Sequence, residues 1–264
     1  MALPYLSWGA TLSPLDFNFY WYNIVMDNNK KGQLNLPASK LPIEKRKPED
    51  FRKSLHWRVF RILSEFVEGW QFLADFKKTV SFFGSARTPE SDKWYEEARK
   101  LGKMAAEGGF AVVTGGGPGI MEAGNRGAVE GNGKSIGINI QLDAEQRINP
   151  YVQESTAFHY FFVRKVMLSF AARAYVFFPG GLGTLDEVFE LITLIQTKKI
   201  SDKIPVVLLG KDFWDPIDKL LREHLYEKYQ AIDKEDLDIY KIVDSAEEAF
   251  ELIKDAPPRE DWYY

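Results

Sequence analysis

From residue 79 onward, short apolar runs alternate with amphipathic stretches, and this restricts the fold more than any other feature. Thr79–Phe83, Phe110–Thr114, Ser135–Ile140, Tyr175–Phe178, Val206–Leu209 and Ile239–Val243 read as strands. The spacing of apolar residues predicts helices near 91–107, 118–131, 161–173, 185–199, 214–229 and 246–254. Repeated strand–helix units imply an α/β fold: a Rossmann-like, doubly wound, mainly parallel sheet with helices on both faces. Ligands in such sheets bind beyond the carboxyl ends of the strands. Three glycine-rich turns fall there: Gly84-Ser85-Ala86-Arg87, Gly115-Gly116-Gly117-Pro118-Gly119 and Pro179-Gly180-Gly181-Leu182-Gly183-Thr184. Together they suit a nucleotide-shaped site.

The expected organisation is an N-terminal extension (1–46), a helical lead-in (47–78), the Rossmann-like domain (79–256) and a C-terminal tail (257–264). The extension is aromatic, with Tyr5, Trp8, Phe17, Phe19, Tyr20, Trp21 and Tyr22, which suggests that it packs on the body or on a second subunit. Lys45-Arg46-Lys47 is followed by Glu49 and Asp50 and reads as a solvated junction. At 264 residues the chain is long enough for a large core. A net charge of −4 argues against a nucleic-acid partner, because gripping a phosphate backbone takes a basic surface. The chain has no cysteine, which excludes disulfides and thiolate chemistry and agrees with a cytoplasmic location. Pro4, Pro14 and Asp16 interrupt any apolar run near the N-terminus, so neither a signal peptide nor a membrane span is expected.

The turn at 179–184 follows the apolar run Ala174–Phe178 and opens an amphipathic stretch. Strand, glycine turn and helix in that order direct free backbone N–H groups and a helix dipole at one spot, which favours phosphate. Glu187 has two readings. Thr184-x-x-Glu187 ahead of an apolar helix is a capping box, yet a cap does not need an approach stripped of side chains, and a carboxylate beside an anion site is a catalytic candidate. Asp186 points to another face and reads as a first-turn acid. Arg164-Lys165 begin a helical pattern, where cations oppose the dipole, so an anionic partner is expected nearby. Glu122 and Asn125, three apart after the second turn, face one way and are candidates for sugar hydroxyls or plain surface polarity.

Other motifs fail. Gly115 and Gly117 lack the third glycine of a dinucleotide fingerprint, since position 120 is Ile120. Gly133-Lys134-Ser135 ends like a P-loop but has Ala128 where glycine is needed and precedes a strand. His56, His159 and His224 have no metal spacing.

Pro-Gly-Gly-x-Gly-Thr-x-x-Glu at 179–187, Arg164-Lys165 upstream and Gly-Gly-Gly-Pro-Gly-Ile-Met-Glu-Ala-Gly-Asn at 115–125 resemble the LONELY GUY family. Its members are cytokinin riboside 5′-monophosphate phosphoribohydrolases, long mislabelled lysine decarboxylases. The likeness spans about 79–256. It implies a hydrolase that cleaves the N-glycosidic bond of a purine-type nucleoside 5′-monophosphate, AMP or a cytokinin riboside monophosphate, to free base and ribose 5-phosphate. By position it implies Arg164 and Glu187 as the catalytic pair. Gly180, Gly181, Gly183 and Thr184 would hold the phosphate, and Gly115, Gly116, Gly117 and Gly119 would line the nucleotide. Gly84 and Ser85 of the first turn and Lys165 as an anion contact complete the expected set. No metal or cofactor is implied, and a homodimer or higher homo-oligomer is. Compact members carry Met-His where this chain has Phe161-Phe162, so the base pocket differs. Nothing marks a pyridoxal phosphate lysine. Two other readings stand beside this one: a non-catalytic sensor of a phosphorylated ligand, and an enzyme acting on another phosphorylated sugar.

Overall fold

The computed structural model describes residues 51–141 and 148–256. The expected extension, the Lys45–Lys47 cluster and the tail lie outside them. The described chain runs α1 (Leu55–Ala74), β1 (Thr79–Phe83), α2 (Lys93–Glu107), β2 (Ala111–Thr114), α3 (Ile120–Glu130), β3 (Ser135–Ile140), β4 (Glu154–Phe158), α4 (Phe161–Phe170), β5 (Tyr175–Phe177), α5 (Leu182–Gln196), β6 (Val206–Leu209), α6 (Lys211–Leu220), β7 (Tyr240–Val243) and α7 (Ala246–Ile253). The strands form one sheet in the order β4-β3-β2-β1-β5-β6-β7. Every neighbouring pair is parallel. The chain winds outward from β1 to β4, returns, and sets β5 against the other side of β1, so the switch point lies between β1 and β5.

Alternation along the strands fills both faces. Phe83, Val113, Ile136, Ile138, Phe177 and Leu208 point into a core shared with Leu73 of α1, Met167 of α4 and Leu191 of α5. Val80, Phe82, Val112, Val176 and Leu209 point into a second core with α2, α3 and α7. Such two-sided burial is why the strands read as unbroken apolar runs.

Three expectations are corrected. Helix α5 begins at Leu182, not at 185, with Gly181 as its N-cap. The expected helix at 214–229 is α6 followed by a π-helical segment, Leu221–Lys228. Strand β4, Glu-Ser-Thr-Ala-Phe, is additional; on the sheet edge its first two residues are exposed and carry no apolar signal.

Candidate active site

The three glycine turns meet over the carboxyl edge of the sheet, laced by backbone bonds. Ser85 N–H donates to Pro179 O at 3.1 Å, and Ile120 N–H donates to Ser85 O at 3.1 Å. The first turn is thus clamped between the other two. Gly84 abuts Ile120, where a Cβ would lie 2.7 Å from a methyl, and Ser85 Oγ accepts from Arg87 N–H. Gly119, at φ +69°, brings its Cα so close to Ser85 O that a Cβ would stand 2.4 Å away, so the clamp tolerates only glycine.

Behind the second turn lies a buried polar lattice. Asn125 Oδ1 accepts from Thr114 Oγ1 at 2.6 Å and from Asn149 Nδ2 at 2.9 Å. Its Nδ2 donates to Ser135 Oγ at 2.8 Å and to Ile136 O at 3.4 Å. All four bonding positions of this fully buried amide are used. Asn149 also ties its backbone N–H to Gly116 O and its Nδ2 to Gly117 O, and Thr114 Oγ1 accepts from Gly116 N–H. Asn125 therefore sits behind the turn and shapes it, rather than facing a ligand as its helical spacing suggested. Glu122 is half-buried and accepts from Tyr95 OH at 3.3 Å.

The third turn faces open space. Added Cβ atoms at Gly181 and Gly183 would meet nothing within 4 Å, and both residues are exposed. Gly181 is extended (φ −94°, ψ −161°), a conformation open to any residue. Neither packing nor backbone demands glycine at 181. The first internal acceptor of α5 is Gly181 O, taking Leu185 N–H, so the N–H groups ahead of it are those a helix leaves unpaired. Thr184 is buried, its Oγ1 tucked under Gly180.

Because α5 starts at Leu182, Glu187 lies in its second turn and the capping-box reading does not hold; Gly181 makes no side-chain cap bond. Glu187 is 8% exposed and, among the described residues, its carboxylate has no hydrogen bond or ion pair. Burial pushes its pKa up to about 7, with Glu190 and Asp186 adding to the rise and Lys165 and Arg164 opposing it.

Arg164, one turn into α4, donates from Nε to Ile138 O at 2.9 Å, and its Nη2 lies over Gly115, 2.5 Å from where a Cβ would be. No other bond of its guanidinium is made among the described residues. Burial lowers its pKa while the charge of Glu187 opposes that shift, yet the two are not paired directly. The anionic partners expected near Lys165 are two carboxylates of the protein itself. Lys165 Nζ bridges Asp186 Oδ2 at 2.5 Å and Glu190 Oε2 at 3.2 Å, the two carboxylates flanking Glu187 on α5. Burial works against the ammonium, but these partners outweigh it and raise its pKa.

Three residues escaped the sequence reading. Glu190 was detectable as an acid three positions after Glu187. Glu65 on α1 accepts from His159 N–H and Tyr160 N–H, both at 3.1 Å, and so caps α4; no local signal announces a partner so distant in sequence. Asn139 is the lone amide in an apolar strand.

A family model described as "Possible lysine decarboxylase" matches residues 121–253. The cytokinin riboside 5′-monophosphate phosphoribohydrolase LOG of rice (Oryza sativa subsp. japonica) is 32% identical over 67% of this chain and 72% of its own length. The pyrimidine/purine nucleotide 5′-monophosphate nucleosidase of Escherichia coli K12 is 27% identical over 62% of this chain, but that match spans only 38% of the bacterial enzyme. Among solved structures, the molybdenum cofactor carrier protein of Chlamydomonas reinhardtii shares the fold, with a TM-score of 0.53 at 23% identity over 67% of this chain and 96% of its own. On the breadth of the family match, and on a rice relative that aligns over two thirds of the chain, this protein belongs to the LONELY GUY family.

Proposed function

We propose that the protein hydrolyses the N-glycosidic bond of a purine-type nucleoside 5′-monophosphate, releasing free base and ribose 5-phosphate. The observation that carries this reading is Glu187, a buried carboxylate left unpaired beside an open glycine turn and an arginine with unspent donors. Leaving a buried acid without a partner costs stability, and a fold keeps such a group where chemistry uses it.

The 5′-phosphate sits on the exposed N-terminus of α5, against Gly181 and Gly183. Holding it fixes the sugar and turns remote binding into orientation at C1′. Breaking the C1′–N bond builds positive charge on the ribose; the Glu187 carboxylate balances it and takes a proton from the attacking water. A pKa near 7 suits that exchange at neutral pH. Arg164, over Gly115, gives a hydrogen bond to the departing base. The proton that Glu187 took from water passes to the base nitrogen, so that free base and ribose 5-phosphate leave and the carboxylate is restored. Lys165 acts indirectly, offsetting Asp186 and Glu190 so that Glu187 is able to ionise between them. The names of the rice and E. coli relatives support this substrate class. A pure sensor of phosphorylated ligands gains nothing from an unpaired buried carboxylate.

The working form is a homo-oligomer. Leu55, Val59, Phe60, Leu63 and Val67 make one exposed apolar stripe on α1, and Phe161 and Phe162 at the start of α4 are also exposed. A patch of that kind marks an interface, and a second copy is the partner we infer.

The test is a panel of nucleoside monophosphates and nucleosides, with released base followed by chromatography. AMP should be cleaved and adenosine should not, since adenosine lacks the group the α5 terminus holds. Equal rates on both would remove the anion site from the mechanism.

A further inference from the structure

On the α3 side of the sheet every polar side chain near the second turn is, among the described residues, used by the protein except one. Thr114, Asn125, Ser135 and Asn149 bond to one another and to the turn. Asn139, two residues beyond Gly137 on the same face of β3, is 4% exposed, and its Nδ2 is buried with no partner among the described residues. Its Oδ1 lies over Gly116, 1.9 Å from where a Cβ would be, and makes no bond among the described residues. Buried amides are nearly always bonded, so one that is not needs a reason. The neighbours supply it. Arg164 covers Gly115 and holds the carbonyl of Ile138, the residue before Asn139. Asn139 and the guanidinium thus approach consecutive glycines of the second turn, on the β3 side of the sheet and away from the α5 terminus. The strand order puts β3 three positions from β5, about 14 Å across the sheet at the usual strand spacing. A phosphate, a ribose and a base together bridge that span; a phosphate and a ribose alone do not.

Resting on the nucleotide reading above, we propose that Asn139 is a specificity-determining residue that reads the base. Its carboxamide presents one donor and one acceptor side by side, which matches the amino group and ring nitrogen of an adenine edge. The empty bonding positions of the amide are filled when the base enters.

The test compares full-length wild type with Asn139→Leu, close in size and apolar, and with the smaller Asn139→Ser. Without ligand, Asn139→Leu should melt at or above the wild-type temperature, because the amide has no protein bond to lose. Its kcat/KM for AMP should fall about 10- to 100-fold, as loss of a paired base contact does. Inhibition by ribose 5-phosphate, which has no base, should be unchanged. Asn139→Ser should show the same split if the leucine packs poorly. Equal weakening of AMP and ribose 5-phosphate, or a lowered melting temperature in both variants, would make Asn139 a prop for the turn and overturn the proposal. An unaltered kcat/KM for AMP would do the same. Wild-type protein that neither binds nor cleaves any monophosphate is a separate result: it refutes the nucleotide reading, and the assignment of Asn139 goes with it.

Discussion

On the proposed mechanism Glu187 carries two opposed demands, since burial favours its protonated form and the hydrolysis proposed above needs it ionised. Its pKa, raised by burial from 4.5 to about 7, means that the native state holds a proton which the unfolded chain releases at lower pH. Stability from this group is therefore intact below pH 4.5 and is lost as pH rises toward 7, by up to about 3 kcal/mol. Glu187→Gln removes that loss. The variant should match wild type in melting temperature near pH 4 and equal or exceed it at pH 8, while kcat falls by several orders of magnitude and AMP still binds. Wild-type kcat/KM should rise with pH through about 7 and then level off, following formation of the carboxylate. Normal turnover by Glu187→Gln would exclude the carboxylate from the chemistry. Gly181 makes the complementary case. With open space around it and an ordinary extended backbone, Gly181→Val should leave the melting temperature unchanged and raise KM for AMP steeply; an unchanged KM would mean that nothing approaches the turn closely.

At the scale of elements, the position of Arg164 depends on a helix outside the motifs to which catalysis is assigned in the proposal. Glu65 of α1 supplies both acceptors at the start of α4, answering a dipole that Arg164 and Lys165 oppose. Glu65→Ala should cost about 1 kcal/mol, roughly 2–4 °C in melting temperature for a domain of this size. It should also lower kcat severalfold, with Glu65→Gln recovering part of both. Thermal unfolding and AMP turnover on the same samples check this; unchanged kcat would show that other contacts set α4. Most elements were legible, because strands buried on both faces write continuous apolar runs. What was lost has physical causes. Strand β4 needs no apolar run on its exposed edge. Gly181-Leu182-Gly183 reads as loop, yet Leu182 and Gly183 form the first turn of α5, whose poor intrinsic propensity is overridden by the core that Val188 and Leu191 enter. Helical spacing put Glu122 and Asn125 on one face but gave no depth, and depth separates the half-buried acid from the saturated amide.

For the whole molecule, the apolar stripe on α1 predicts self-association. Light scattering should find a dimer or larger at micromolar concentration, and Phe60→Glu with Leu63→Glu should give a folded, smaller species. A wild-type monomer with full activity would refute the assembly. The order of the sheet has a consequence for how the chain reaches its native state. Strand β1 pairs with β5, Ser81 with Tyr175, so the centre of the sheet closes between segments roughly 90 residues apart, the kind of contact that forms late because its loop entropy must be met first. The clasp from Ser85 to Pro179 lies on that same seam. The two halves are able to acquire their helices before the seam shuts, but Glu187 and Gly116 belong to different halves. During refolding, the return of nucleotide cleavage should therefore trail the return of helical circular dichroism.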